Sequence, residues 1–226
     1  MKKKTKITFA TVICIGAIAT GAALGFQKLH IKPLEPQKSY AAVIDENFES
    51  MAKSYDTKTL MSSSPYAYID NEYYKNIVNL GFEAVPLLQE KGESKEYSSI
   101  NSYISALAIL EITDCDFQEL TGTDFETAEQ FYKLWNKELS EMPEQLENIV
   151  ENDEMSVNEK KAEISKYGIF GEAFLAETLV KKSESFCGEN CDYKYTAKEQ
   201  KVLSTLVQSS KKELNHAVEY LEESVK

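Results

Sequence analysis

Apolar residues recur at helical spacing along most of the chain after residue 42, and this pattern predicts an all-α domain over residues 43–226. No long stretch alternates apolar and polar residues as a half-buried strand would. The sets with three- and four-residue intervals are Val43, Phe48, Met51 and Tyr55; Tyr66, Ile69, Tyr73, Ile77 and Leu80; Ile100, Tyr103, Ile104, Leu107, Ala108 and Ile112; Phe131, Leu134, Trp135 and Leu139; and Val202, Leu203, Leu206, Val207, Leu214, Val218 and Leu221.

Prolines, glycines and capping residues divide this region into separate helices. One helix is expected to begin at residues 62–65, since proline is tolerated in a first turn. Gly81 ends it, and the next helix runs through "FEAVPLLQEK" to Gly92. Three further helix starts are predicted at residues 123–127 with Thr123 or Asp124 as the cap, at Pro143, and at Thr196, from which one unbroken helix extends to Glu223.

The N-terminal region contains twenty consecutive residues without a charge, Ile7 to Phe26, which is the length a helix needs to cross a bilayer. Four lysines precede this run, so the positive-inside rule places residues 1–6 in the cytoplasm and everything after Phe26 outside. We therefore predict a single-pass transmembrane signal anchor in the cell membrane. The alternative is a cleaved secretory signal and a secreted protein, because residues 17–19, Ala-Ile-Ala, resemble a small-residue cleavage site.

A short stalk is predicted between the anchor and the helical domain. Residues 27–42, "QKLHIKPLEPQKSYAA", contain Pro33 and Pro36 and show no helical periodicity. The predicted organisation is a cytoplasmic tail at 1–6, a transmembrane helix at 7–26, this stalk at 27–42 and an extracytoplasmic all-α domain at 43–226.

The charge balance limits the partners that the chain can bind. The formal net charge is −12, and four of the positive charges belong to the N-terminal lysines, so the rest of the chain is more acidic still. Such a surface disfavours nucleic acid and anionic lipid headgroups. Every basic residue other than histidine is lysine, so bidentate arginine clamps and arginine fingers are missing from the chain.

Few residues are available for familiar catalytic chemistry. His30 and His216 are the only histidines, which leaves too few for a hydrolase triad, an HExxH zinc site or a His-ligated metal centre. The acidic stretch 113–126 resembles a calcium loop, but Glu119 stands where an EF-hand requires glycine, so an inter-helix connection is predicted instead. We predict no catalytic residue, no cofactor and no metal site.

The cysteines indicate one structural disulfide. Cys187 and Cys191 flank glycine and asparagine in "SFCGENCDY", where a small closed loop is sterically feasible and the predicted compartment favours oxidation. A redox-active pair is the alternative, although the spacing has one residue more than C-x-x-C. Cys115 is predicted to be buried beside Ile112 and Phe117; if it were exposed, it could form an intermolecular bridge.

Tyrosines crowd the segment from residue 66 to residue 74, and they divide into two groups. Tyr66 and Tyr73 share the apolar stripe of their predicted helix and are expected to be buried. Tyr68 and Tyr74 fall off that stripe, so they are candidate surface contacts, because tyrosine is enriched at binding surfaces.

Two short stretches share a pattern of glycine and small residues. In "LGFEAVPLL" and "KYGIFGEAFLAETL", Gly81 aligns with Gly168, Ala84 with Gly171, and residue 86 with residue 173, at a separation of 87 residues. The first stretch resembles the turn between the two helices of HEAT-like repeats, and the separation is about twice the usual repeat length. The arginine usual in such repeats is absent and no third copy is readable, so the resemblance implies an irregular HEAT-like array of helical hairpins or an α-α bundle.

The segment 63–88, "SSPYAYIDNEYYKNIVNLGFEAVPLL", also resembles stretches in membrane-associated proteins of Gram-positive bacteria whose function is uncharacterised. This likeness implies a compartment and a fold and supplies no activity.

Two functions are compatible with these features. The first is a non-catalytic, membrane-anchored extracytoplasmic scaffold that binds another protein or a component of the cell envelope, since helical repeats offer extended surfaces without catalytic residues. The alternative is a carboxylate-dependent hydrolase of the cell envelope, which requires two carboxylates about 5 to 10 Å apart in a cleft.

Overall fold

The computed structural model describes residues 39–183 and 196–224, and within them every regular element is helical. The prediction of an all-α domain is confirmed for these residues. None of the helices in the described ranges combines the length and apolarity needed to cross a bilayer. The predicted anchor at 7–26, the stalk up to residue 38, and Cys187 and Cys191 lie outside the described residues.

The described residues form eleven α-helices and three short 3-10 helices. The 3-10 helices are Pro65–Tyr68, Gly81–Ala84 and Ser204–Leu206. The α-helices are α1 (Tyr40–Ser54), α2 (Thr57–Leu60), α3 (Glu72–Val78), α4 (Val85–Glu93), α5 (Ser99–Thr113), α6 (Phe117–Thr121), α7 (Ala128–Glu151), α8 (Val157–Ser165), α9 (Gly168–Ser183), α10 (Ala197–Leu203) and α11 (Lys211–Ser224).

The first helix begins three residues before the predicted start of the domain at residue 43. Ser39 caps α1, because its side chain accepts a hydrogen bond from the backbone N–H of Ala42 at 3.3 Å. The serine cap at position 39 and the alanines at positions 41 and 42 therefore favour a helix at the end of the predicted stalk.

The corner between α3 and α4 lies where the sequence has two helix-breaking residues, Gly81 and Pro86. Gly81 adopts φ +70°, a left-handed conformation that favours glycine. Pro86 is the second residue of α4, where a missing backbone N–H leaves no helical hydrogen bond unmade. Gly168, which the internal alignment pairs with Gly81, is also left-handed at φ +51° and begins α9.

The predicted start of the longest helix at residues 123–127 is confirmed, but its predicted cap and the predicted boundary at Pro143 are wrong. Its cap is Thr127, whose hydroxyl accepts from the N–H of Gln130 at 3.2 Å, and not Thr123 or Asp124. Pro143 opens no new helix and lies inside the 24-residue α7. The buried stripe of α7 continues on both sides of the proline, so packing outweighs the one lost hydrogen bond; its members are Phe131, Trp135, Leu139, Met142, Leu146 and Val150.

The predicted single C-terminal helix is divided in two. Thr196 caps α10 in a capping box with Glu199, as its position predicts, but the helix stops at Leu203. The chain then turns through Gln208 and Ser209, whose backbone N–H groups donate to Glu172 Oε2 on α9 at 2.9 and 2.8 Å. A carboxylate distant in the sequence thus stabilises the break before α11.

The core is organised around α5, which contacts α3, α4, α7 and α9. Its residues 104–109 are all buried, so this helix is enclosed on every side instead of presenting one apolar stripe. The C-terminal α11 contacts α9 and α7 and also returns to the 3-10 helix at 81–84. Tyr220 of α11 completes that contact, with ring centroids 5.8 Å from Phe82 and 6.1 Å from Phe170.

Candidate functional site

The two tyrosines predicted as surface contacts lie in different environments. Tyr74 is only 3% exposed, and its hydroxyl donates to Glu111 Oε2 at 2.8 Å, so its prediction as a surface contact is wrong. Burial, assisted by Glu111, raises the pKa of Tyr74. Tyr68 is half-buried, packs edge-on against Tyr55, and donates to the carbonyl of Ser62 at 3.3 Å. Its role in binding stays a prediction.

Tyr66 is the exposed ring of this region, and the expectation that it is buried is wrong. Its exposed fraction is 64%, whereas Tyr73, also expected to be buried, is half-buried and packs against the core. The periodicity failed at this point because Tyr66 belongs to a 3-10 helix, and a new helix starts after the cap at Asn71. A stripe drawn from residue 66 to residue 77 therefore crosses two differently oriented elements.

Cys115 is buried, as its sequence context predicts. Its thiol donates to the carbonyl of Tyr167 at 3.2 Å, and burial raises the pKa of the thiol to about 12. A thiol held neutral in the interior is a poor nucleophile at neutral pH.

The acidic stretch that resembles a calcium loop terminates one helix and begins another. Asp114 ends α5 in a left-handed conformation, and Asp116 caps α6 by accepting from the N–H of Glu119 at 3.1 Å. In the part of the chain that the structure describes, no three His, Cys, Asp or Glu side chains are grouped so that they could hold a metal ion.

Several surface depressions lie among the described residues, and one of them contains the one described histidine, His216. Glu83 forms an ion pair with Lys212 of α11 and accepts a hydrogen bond from Tyr40 of α1. Nδ1 of His216 lies 3.7 Å from Glu83 Oε1. The contact with Lys212, followed by that with Tyr40, lowers the pKa of Glu83, and the same contacts raise the pKa of both partners.

This cluster links helices and offers little for catalysis. It holds α1, the 81–84 corner and α11 together at the edge of a depression of about 240 Å³. The residues lining that depression include no serine, threonine or cysteine that His216 could activate as a nucleophile. The carboxylate-dependent hydrolase stays a prediction, since it needs two carboxylates in a cleft and no nucleophilic hydroxyl or thiol.

A second depression, here called the apolar groove, lies between α7, α9 and α11. Its volume is about 500 Å³, and its floor is built by Leu146, Ala173 and Leu221, all buried. Phe174 and Val218 are half-buried along its walls, so part of their apolar surface faces solvent. The remaining lining residues are Pro143, Glu177 and Glu222. The groove therefore combines an apolar floor with two carboxylates.

A third and larger depression among the described residues, here called the tyrosine cleft, has a volume of about 800 Å³. It lies between the α4–α5 connection and the first turns of α7, and three tyrosines line it: Tyr97, Tyr103 and Tyr132. Between them stand exposed charged residues of both signs, namely Glu93, Lys95, Glu126, Glu129 and Lys133. Sequence reasoning missed this cleft, because segments separated by more than twenty residues build it together.

No protein-family model, curated protein or solved structure matches this chain.

Proposed function

We propose that this protein is a non-catalytic, membrane-anchored extracytoplasmic scaffold whose apolar groove binds a helix of a partner protein. The observation that supports this most is the groove itself, in which partly exposed apolar side chains from three helices surround a volume of about 500 Å³. Grooves of this kind receive amphipathic helices that insert apolar residues at i, i+3, i+4 and i+7.

The carboxylates indicate the charge of the partner. Glu177 and Glu222 lie in the lining of the groove, and the chain as a whole carries a formal charge of −12. An apolar helix flanked by lysine or arginine would find opposite charge there, whereas an acidic helix would be repelled. We therefore commit to a basic amphipathic helix as the occupant.

The fold within this proposal is an irregular α-α bundle. In a HEAT array each helix pair contacts its sequence neighbours. Here α11 contacts both α9 and the corner at residues 81–84, more than 120 residues earlier in the chain. This return of α11 to an early corner of the chain favours the bundle.

Binding is tested with the full chain in zwitterionic detergent and a synthetic helical peptide that carries leucines on one face and lysines at its flanks. A second peptide replaces the lysines with glutamates. We expect the lysine peptide to bind and the glutamate peptide to bind at least 10-fold more weakly. Equal binding of the two peptides would contradict the proposal.

Substitutions locate the binding surface. Val218→Lys introduces a positive charge into the groove, which has the same sign as the lysines of the peptide. This variant should bind the lysine peptide at least 10-fold more weakly. Leu60→Lys is the matched control, because Leu60 is an apolar residue with 62% exposure outside the groove. A photo-crosslinking residue at position 174 should capture one envelope or membrane protein in intact cells, and the same residue at position 60 should not. Equal loss of binding in both lysine variants would also reject the groove.

The anchor is a separate part of the proposal and needs its own measurement. The uncharged run 7–26 follows four lysines, which supports a membrane span with the C-terminal domain outside. We expect the protein to stay in the membrane fraction after alkaline carbonate extraction, with residues 1–19 still attached by mass spectrometry. Recovery from the medium without those residues would establish the secreted form instead.

A further inference from the structure

We propose that the tyrosine cleft is a second binding site, separate from the apolar groove, which takes a neutral oligosaccharide. Its volume of about 800 Å³ falls within the range of roughly 300 to 1,000 Å³ typical of small-molecule sites. Three features of the lining favour such a ligand: its tyrosine rings, its mixture of donors and acceptors, and its charge balance.

The tyrosine rings are fixed in place before any ligand arrives. Tyr103 packs on Phe125 with ring centroids 5.0 Å apart, and its hydroxyl donates to the carbonyl of the same residue at 3.3 Å. Tyr97 packs edge-on against Phe48 at 5.4 Å and donates to Asp45 Oδ1 at 3.3 Å. Both are half-buried, and Lys91 Nζ also lies 5.7 Å from the centroid of the Tyr97 ring, so neighbouring protein groups hold both rings in place. Rigid aromatic rings lose little conformational entropy when a ligand packs on them.

The floor of the cleft is equally well ordered. Tyr132 is buried and donates to the carbonyl of Ser102 at 3.2 Å. It lies directly against Gly92, where any side chain would collide with its ring. Beside it, Asn136 accepts from Gln89 and donates to Glu93 Oε1, both at 2.7 Å, so this amide is held in one orientation.

The lining offers donors and acceptors together. Lys95 and Lys133 supply ammonium donors, and Glu126 and Glu129 supply carboxylate acceptors, all exposed around one opening. A sugar hydroxyl both donates and accepts, so a hydroxyl-rich chain can satisfy both kinds of group at once. An apolar ligand would have to desolvate these charges without replacing their hydrogen bonds.

The charge balance disfavours an anionic ligand. Three glutamates line the cleft against two lysines, in a chain that is acidic overall. Polyanionic glycans and phosphorylated ligands would meet net repulsion. Neutral saccharides are the class that fits the rings, the hydroxyl partners and the charge together.

The test is calorimetric titration of the full chain, in a zwitterionic detergent without a sugar headgroup, with chitotetraose and cellotetraose as the probes. We expect at least one of these neutral tetrasaccharides to bind with a dissociation constant below 1 mM. A sulfated tetrasaccharide should bind at least 10-fold more weakly. Dissociation constants above 1 mM for both neutral probes would overturn the proposal, as would a sulfated probe that binds less than 10-fold more weakly than the better neutral one.

Matched substitutions assign the binding to the cleft. Glu129→Gln and Lys133→Gln should each weaken binding about 3- to 10-fold, the range expected for one hydrogen bond. Glu147→Gln is the control for the first, because Glu147 is exposed on the same face of α7, five turns and about 27 Å away. Lys201→Gln is the control for the second, because Lys201 is an exposed lysine of α10.

A blocking variant gives an independent answer. Ser99 is the exposed first residue of α5 and lines the cleft, so Ser99→Trp should fill it and reduce binding at least 10-fold. Circular dichroism and the melting temperature report whether this variant remains folded. Lysine-peptide binding at the apolar groove should be unchanged in Ser99→Trp, which separates failure of this proposal from failure of the first. Unchanged saccharide binding in the folded variant would show that the saccharide binds elsewhere.

Discussion

Gly92 shows how a single residue can be required for packing and not for its backbone conformation. It lies in the last full turn of α4, is buried, and has no left-handed φ, so it does not terminate the helix as its position predicts. A Cβ at this position would lie 1.8 Å from the hydroxyl oxygen of Tyr132 and 2.4 Å from Cζ of its ring. The absence of a side chain therefore lets α7 approach α4 closely.

Gly92→Ala should consequently destabilise the protein, although alanine is the better helix former. Overpacking costs about 1 to 3 kcal/mol, against a gain of about 1 kcal/mol in helix propensity. We expect urea unfolding to give a lower free energy of unfolding for the variant. In a Tyr132→Leu background, which lacks the ring, Gly92→Ala should lower the free energy of unfolding much less. A cost that is equal in both backgrounds would place the strain elsewhere.

Cys115 makes a prediction about alkaline pH. Its thiol pKa is raised to about 12 by burial, while the unfolded value is about 8.5. The folded state therefore keeps a proton that the unfolded state loses, and this contribution to stability is complete below about pH 8.5. It declines as pH rises toward 12, at about 1.4 kcal/mol per pH unit.

The comparison is between wild type and Cys115→Ala, with unfolding measured in reductant from pH 7 to pH 10. The other cysteines are present in both proteins, so their titration cancels. Tyrosines such as Tyr55, whose pKa burial raises to about 12, begin to contribute only near pH 10. We expect the free energy of unfolding to fall less steeply between pH 9 and 10 in the variant. Parallel pH profiles would mean that Cys115 titrates normally.

At the scale of helices, the turn between α10 and α11 depends on one distant carboxylate. Glu172 of α9 accepts the backbone N–H groups of Gln208 and Ser209, as a capping residue would. Glu172→Ala should lower the free energy of unfolding by about 2 kcal/mol, since hydrogen bonds to charged groups are worth about 1.5 to 3 kcal/mol each and water replaces part of the loss.

Amide hydrogen exchange at Gln208 and Ser209 measures this directly and should accelerate in Glu172→Ala. Glu172→Gln keeps one acceptor oxygen without the charge, so it should fall between wild type and the alanine variant. Normal exchange at both amides in Glu172→Ala would show that the turn persists without the carboxylate.

Local signals in the sequence predicted local features of these helices. Thr196 with Glu199 three residues later predicts a helix start and forms one, and Pro86 lies within a first turn as expected. The sequence does not predict the break after Leu203, because the turn that follows contacts Glu172, which lies 36 residues before Gln208. Pro143 was misread because the packing of α7 outweighs its intrinsic preference.

The candidate sites show the same difference between features that depend on nearby residues and features that depend on distant ones. The burial of Cys115 was predicted from its apolar neighbours, whereas that of Tyr74 was not, because Glu111 of α5 supplies the partner that lets its hydroxyl enter the core. The groove and the cleft combine helices from separate parts of the chain, and no periodicity within one helix indicates such combinations.

For the molecule as a whole, the decisive feature is the contact that α11 makes with the corner at residues 81–84. Tyr220 packs against Phe82 and Phe170, its hydroxyl donates to Gln89, and it accepts from Trp135 Nε1 at 3.4 Å. Helices from the start, middle and end of the domain therefore share one aromatic cluster. In a linear array, α3 and α4 would be stabilised only by the helices next to them in the sequence. Removing α11 from such an array would therefore leave the amides of α3 and α4 protected from hydrogen exchange.

In the bundle proposed here, α3 and α4 should lose protection when α11 is removed. A chain ending at Ser210 exposes Phe82, and we expect amide exchange in α4 to approach that of an unfolded segment. Tyr220→Ala keeps α11 while removing the shared ring, at a cost of about 3 to 5 kcal/mol, and should accelerate exchange in α4 as well as in α11. Val150→Ala, a buried substitution near the C-terminal end of α7, is the comparison for general destabilisation. If α4 stays as protected in Tyr220→Ala as in Val150→Ala, the domain behaves as a linear array; preferential loss in α4 establishes that α11 closes the bundle.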